Sequence, residues 1–316
     1  MRLIERLTAG LDALWPPAER PEHWKLALAV SGGPDSLALL LLAADALPGR
    51  VEAATVDHGL RPEAAEEAAF VAGQCARHGV PHATLTVSVS PGNVQSEART
   101  ARYAALAGWM QERSLSALAT AHHADDQAET LLMRLNRGSG VSGLAGVRTR
   151  GAVPGTRLPL LRPLLGWRRA ELAAVVEAAG IAAVQDPSNA DDRFDRVRLR
   201  KALAEADWLE VAALAESASH LSDAHAALEW AAAREWQEQV VEAGLGITYR
   251  PRAPRAIALR VVARIVMKLD GEEPRGSAVA RLHDALLAGQ PASIGALVAR
   301  PGYEGWSFTK APKRRA

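Results

Sequence analysis

The chain has 316 residues, 48% of them hydrophobic and 23% charged, which gives room for two folded domains. Cys75 is the single cysteine, so the chain can build neither an intramolecular disulfide nor a cysteine-based zinc or iron–sulfur site of its own. The net charge of +1 hides an asymmetry: residues 246–316 hold 13 Lys and Arg against 5 Asp and Glu, or +8, and the rest of the chain carries −7. A basic module joined to an acidic one suits a polyanionic partner, although an arginine-rich solvated surface has the same composition.

Arg2, Glu5, Arg6, Asp12 and Glu19 interrupt any export-signal core, and the longest apolar run, residues 37–44, is too short to cross a bilayer. A cytoplasmic protein with no membrane partner is expected. Residues 25–30 read as a buried strand and residues 37–42 as the start of a core-facing helix. Between them stands Ser31-Gly-Gly-Pro-Asp-Ser36. Two adjacent glycines let the backbone approach a ligand, and N–H groups at the helix start then point at an oxyanion. Asp35 would repel phosphate unless a divalent cation bridged them. No lysine follows the glycines, so this is not a Walker loop.

Further strands are expected at 51–56, 82–89, 115–121 and 157–165, with helices at 63–78, 94–113 (capped by Asn93), 124–137 and 168–179. Strand–helix alternation at this pitch predicts an α/β fold, a doubly wound parallel sheet with helices on both faces. The polar stretches at 31–36, 57–61 and 122–130 all begin where a strand ends, so they should converge on one cleft. Past residue 200 the strand signal fades. Residues 202–243 are alanine-rich with Trp208, Trp230 and Trp236 at helical spacing, which predicts helices packed on each other. Helices at 257–269 and 277–288 and a small hairpin at 296–308 complete a mainly helical second domain. The expected division is 1–205 and 206–316.

Residues 119–130, Ala-Thr-Ala-His122-His123-Ala-Asp125-Asp126-Gln127-Ala-Glu129-Thr130, gather two histidines and three acids at a strand-to-helix corner. Such a cluster is costly without a ligand. Asp126 with Glu129, or Asp125 with Glu129, falls on one helix face and could hold magnesium. Zinc is excluded by spacing, since the histidines are adjacent and lack a third soft ligand. Arg99 and Arg102 share a helix face beside Tyr103, facing either a triphosphate or RNA.

These blocks, with Arg137-Gly-Ser-Gly140, Arg162-Pro-Leu-Leu165, Asp186-Pro-Ser-Asn189 and the arginines Arg196, Arg198 and Arg200, occur in one order. Ser31–Ser36 resembles the pyrophosphate loop of ATP pyrophosphatases. The ordered set resembles the tRNA(Ile)-lysidine synthetase family over roughly the first two-thirds of the chain. Valine stands after Arg196, where that family commonly has asparagine. The resemblance implies a ligase. It would adenylate the wobble cytidine of an isoleucine tRNA with a CAU anticodon, and free L-lysine would then displace AMP. It further implies ATP at Ser31, Gly32, Gly33, Pro34, Asp35, Ser36, Asp57, Arg61 and Arg102. Mg²⁺ would sit on Asp35 and Asp126, with His122 and His123 beside the chemistry. The tRNA is expected on Arg196, Arg198 and Arg200 and, from the basic end, on Arg252, Arg255, Lys313, Arg314 and Arg315. The oligomeric state stays open, a homodimer included. Thiolases of this class that use paired or persulfide cysteines need thiols that Cys75 alone cannot supply. An amidotransferase would need an ammonia source, and a nucleotide sensor would have no use for the 122–129 cluster.

Overall fold

The computed structural model describes residues 2–59, 63–88, 94–184, 192–193, 195–244 and 246–311. The chain divides into two compact units, Met1–Ser222 and Asp223–Ala316. The division falls inside one long helix, later than the 205/206 boundary expected from the loss of strand signal.

In the first unit the elements run α1 (Arg2–Leu14), β1 (Leu26–Ala29), α2 (Pro34–Ala46), β2 (Val51–Asp57), α3 (Glu63–Arg77), β3 (His82–Thr86) and α4 (Val94–Glu112). Then come β4 (Ala117–Ala119), α5 (Ala124–Asn136), α6 (Val141–Leu144), β5 (Arg150–Ala152), β6 (Pro159–Leu161), α7 (Arg169–Ala178) and α8 (Asp195–Glu205). The sheet order is β3-β2-β1-β4-β6-β5, parallel except where β5 pairs antiparallel with β6. This is the doubly wound parallel sheet expected. β1 and β4 are short and apolar because both faces are covered, and α2 is buried almost all round, from Ser36 to Ala43. One core, built on β1, α2 and α7, also takes Leu7 and Leu11 of α1, a helix the alternation did not announce. A second, on the other face, gathers Tyr103, Leu106 and Met110 of α4 against Leu118 and Leu160.

α9 (Val211–Gln239) crosses the division. The second unit continues with β7 (Val240–Ala243), β8 (Gly246–Tyr249), α10 (Arg255–Asp270), α11 (Gly276–Leu287), β9 (Ala292–Ile294), β10 (Leu297–Gly302) and β11 (Gly305–Lys310). A five-stranded antiparallel sheet, β7-β8-β11-β10-β9, therefore accompanies the expected helices. Its inner face, with Ile247, Tyr249, Leu297, Ala299, Trp306 and Phe308, closes a core against α10 and α11. The tryptophans correct the expectation of packed helices: Trp208 lies between α8 and α9 at 77% exposure and Trp230 is 64% exposed, while Trp236 alone packs on this core. Among the described residues, no helix is long and apolar enough to cross a membrane.

Candidate active site

The loops after β1 and β4 open into one cleft of about 570 Å³, at the carboxyl ends of the strands, where an open α/β sheet binds ligands. Ser31, Gly33, Pro34, Asp35 and Ser36 line it from one loop, His122, His123 and Asp126 from another. Arg102 and Tyr103 reach it from α4, and Arg196 and Arg200 from α8.

Residues 31–36 form a closed turn. Ser36 Oγ accepts from the Ser31 amide at 3.1 Å and donates to the Gly33 carbonyl at 2.9 Å. Gly32 has φ +87°, and a Cβ there would stand 3.1 Å from Val184 and 3.3 Å from Val71. Gly33 caps α2, so the first N–H groups of that helix face the cleft. Glycine is needed for its conformation at residue 32, whereas Gly33, at φ −70°, sits in ordinary extended backbone.

Behind the loop lies a charged centre. His123 is 3% exposed, and its Nε2 stands 3.4 Å from Asp35 Oδ2 and 3.6 Å from Asp126 Oδ2. Its Nδ1 is 3.6 Å from Asp125 Oδ2. Burial pushes the imidazole down, but Asp125, Asp35 and Asp126 outweigh it and raise His123 to about 9. It is therefore an imidazolium holding three carboxylates together. The aspartates differ in their other partners. Asp125 accepts the Arg169 amide at 2.9 Å at the start of α7, and although burial alone would raise its carboxyl, His123 and that amide bring it to about 2. Asp126 accepts the His123 amide at 3.1 Å and keeps Oδ1 toward the cleft, 3.7 Å from Arg196. Asp35 Oδ1 is buried with no hydrogen-bond partner. An orphaned carboxylate oxygen beside a second carboxylate is a donor set that suits a hard divalent cation.

His122 behaves oppositely to His123. Burial holds it down at about 4, Asp126 opposes, and Arg162, Arg196 and Arg99 add to the fall. Its Nδ1 pairs with Thr120 Oγ1 at 2.9 Å, leaving a neutral ring on the cleft wall. Arg99 and Arg102 both stack on the Tyr103 ring, at 5.1 and 5.5 Å from its centroid.

Glu129, which sequence reasoning set beside Asp125 or Asp126 as a magnesium ligand, is instead taken up by two arginines. This carboxylate is 2% exposed, and it accepts from Arg196 Nε at 2.8 Å and from Arg200 Nε at 2.7 Å. The four-residue spacing of the two arginines on α8 was the available signal. It places them on the cleft, whereas Arg198 is outside its lining and pairs with Asp195. Asp57 is absent from the cleft lining and instead accepts the Gly59 amide at 2.8 Å. In the second unit Arg252 is exposed, and Arg255 is bound through both oxygens of Asp284 at 3.0 and 3.1 Å. Arg61, Lys313, Arg314 and Arg315, with the 186–189 block, lie outside the described residues.

A PP-loop domain model matches residues 5–207. A tRNA(Ile)-lysidine synthase of Novosphingobium aromaticivorans is 51% identical over 296 residues, spanning 92% of this chain and 90% of that protein. The chain belongs to the tRNA(Ile)-lysidine synthase family. Another relative of that name, from Zymomonas mobilis subsp. mobilis, is 44% identical over 320 residues, 99% of this chain and 96% of its own. The U34-tRNA thiolase NcsA from Methanococcus maripaludis, solved with its [4Fe-4S] cluster, shares the fold at a TM-score of 0.55 and 16% identity, over 72% of this chain and 80% of that one. Family membership makes the chain a ligase that uses ATP to form lysidine in tRNA(Ile).

Proposed function

We propose that the reaction runs in the cleft between residues 31–36 and 122–126, in two steps. ATP places its phosphates on the amides at the start of α2. The wobble cytidine's 2-carbonyl oxygen attacks the α-phosphorus, the bond to the pyrophosphate breaks, and an O-adenylated cytidine forms. The ε-amine of free L-lysine then attacks C2, and the C2–O bond breaks to release AMP. A cytosine carbonyl is a poor electrophile, and adenylation turns its oxygen into a leaving group.

The observation that carries this reading is the convergence of Asp35, His123 and Asp126 on the glycine turn. Backbone N–H groups at the turn stabilise the charge that develops on departing pyrophosphate. Asp35 and Asp126 are the residues that would hold Mg²⁺, which neutralises phosphate charge when bound. His123 spaces the two carboxylates. His122 and His58 both line the cleft with pKa values lowered by burial, so either ring can accept a proton from the attacking amine, and incoming phosphates raise their proton affinity. Arg102 faces the phosphates. The division into a catalytic unit and a basic unit that carries the tRNA belongs to the same reading.

Sulfur transfer does not fit this chain. Cys75 is fully buried, and burial raises its thiol to about 11, so it offers no thiolate nucleophile. The deciding test incubates a CAU-anticodon isoleucine transcript with ATP, Mg²⁺ and lysine and weighs the RNA. A mass gain of one lysine with loss of water supports the reading. Unchanged RNA under conditions where the enzyme binds both substrates overturns it.

A further inference from the structure

The +8 charge of residues 246–316 says nothing about which face of the second unit meets RNA. Ion pairing only narrows the choice: among the described residues Arg252, Arg275, Arg281, Arg300 and Lys310 are exposed and make no ion pair. Arg255 is held by Asp284, Arg260 and Arg264 by Glu229, and Lys268 by Glu242. Those cations are already neutralised. Arg300 is exposed, and among the described residues its guanidinium has no ion pair or hydrogen bond.

Arg300 sits on the outer face of the antiparallel sheet, opposite the core. Strand register builds that face in two rows. One runs Val241, Thr248, Ser307, Arg300 across β7, β8, β11 and β10. The other runs Ala243, Gly246, Thr309, Val298, Ser293 across β7, β8, β11, β10 and β9. Side chains alternate along a strand, and the intervening Ile247, Phe308 and Ala299 are buried inward, so these nine positions share the outer face. None is acidic, none is aromatic, and four carry hydroxyls.

We infer that this face is the surface on which the second unit holds the phosphate backbone of its tRNA. The inference rests on the reading that the basic unit carries the tRNA, and adds where. Arginine with serine and threonine hydroxyls is the set that contacts phosphate and sugar. Without aromatic side chains the face offers no platform for stacking bases, so its contacts carry affinity and little sequence information. With only Val241, Ala243 and Val298 as apolar side chains, it also lacks the central aromatic or large aliphatic anchor of a protein–protein interface.

The test compares Arg300→Gln with Arg281→Gln in the full chain. Arg281 is also exposed and, among the described residues, makes no ion pair, but lies on α11, which packs against the inner face, so the two variants lose the same charge from different places. Kd for the isoleucine transcript and for an unrelated tRNA is measured from low to moderate salt. Arg300→Gln should weaken both RNAs about threefold or more at low salt and flatten the log–log salt slope by about 1. Arg281→Gln should leave both values unchanged. A Thr248→Val, Thr309→Val double variant, which keeps the β-branched shape, should weaken binding with the slope intact. Equal effects of Arg300→Gln and Arg281→Gln, or no effect of Arg300→Gln, overturn the assignment to this face. A third variant, with Arg252, Lys313, Arg314 and Arg315 all changed to glutamine, separates the two ideas. If it weakens tRNA binding where Arg300→Gln does not, the basic unit binds RNA by another surface; if neither does, the underlying reading fails as well.

Discussion

Glu129 Oε1 accepts a hydrogen bond from Arg200 Nε at 2.7 Å, tying α8 to the middle of α5 through a carboxylate that water hardly reaches. The same carboxylate takes Arg196 Nε, so α8 is held by one buried anion shared between two cations. Removing a buried partner costs more than the pair is worth, because the remaining charge is stranded. Here the arginine side chains are 44% and 31% exposed, so solvent screens part of that cost. Glu129→Gln should lower stability by about 1–3 kcal/mol in chemical denaturation. It should also loosen α8, raising the KM for ATP. A variant with wild-type stability and KM would make the triad a surface contact of no consequence.

The three aspartates around His123 separate by function. Asp35→Asn and Asp126→Asn should each reduce RNA-dependent ATP–pyrophosphate exchange by about 100-fold or more while leaving the melting temperature within a few degrees. Asp125→Asn should do the reverse. Its carboxylate serves the Arg169 amide and the start of α7, so its loss should cost about 1–2 kcal/mol of stability and spare most of the exchange rate. If Asp125→Asn is the more damaging to exchange, the metal-holding role has been given to the wrong neighbour.

Much of this arrangement is legible in residue order. Apolar runs ending at polar corners mark β1 and β4, strands covered on both faces, and β2 stays legible although it buries Glu52 and Thr55. β5 escaped because Arg150–Ala152 is exposed and follows no alternation; it exists through its pairing with β6. β7 and β8 escaped because they are four residues each and follow directly on a long helix. Helical spacing put Trp208 and Trp230 in a core, but spacing does not say which side of a helix is covered. In the site, the acids and histidines were visible as a cluster. That His123 would become the cation between Asp35 and Asp126 was not, since Asp35 comes from a different strand end.

His82 links acid to stability. Its Nε2 pairs with Thr55 Oγ1 at 2.9 Å between β3 and β2, and burial lowers its pKa below the ordinary histidine value. The folded protein therefore keeps the ring neutral at a pH where the unfolded chain, near pKa 6.5, takes up a proton. Stability rises with pH wherever the unfolded state binds more protons, so it is full above about pH 6.5 and falls as the pH drops below it. His82→Gln lacks that titration. Denaturation midpoints at pH 7.5 and 5.5 should show the wild type losing its advantage over the variant on acidification. A gap that stays constant, or widens at low pH, would reverse the sign argued here.

Gly32 offers the sharpest test of the turn itself. Its φ of +87° is a conformation that residues with a Cβ adopt at a cost, and the added carbon would press on Val184 at 3.1 Å and Val71 at 3.3 Å. The Gly32 carbonyl also accepts the Val184 amide at 3.0 Å, so a shift in the loop drags the segment after α7 with it. Gly32→Ala should cost about 1–2 kcal/mol of stability, from backbone strain and the two close contacts. The larger effect should be on ATP, because the turn sets where the first amides of α2 point. Binding of ATP should weaken by about tenfold or more, while tRNA affinity measured without ATP should stay near wild type. Equal weakening of both would mean that the substitution had unfolded the unit. Unchanged ATP affinity would mean that the amides behind Gly33 do not hold the phosphates.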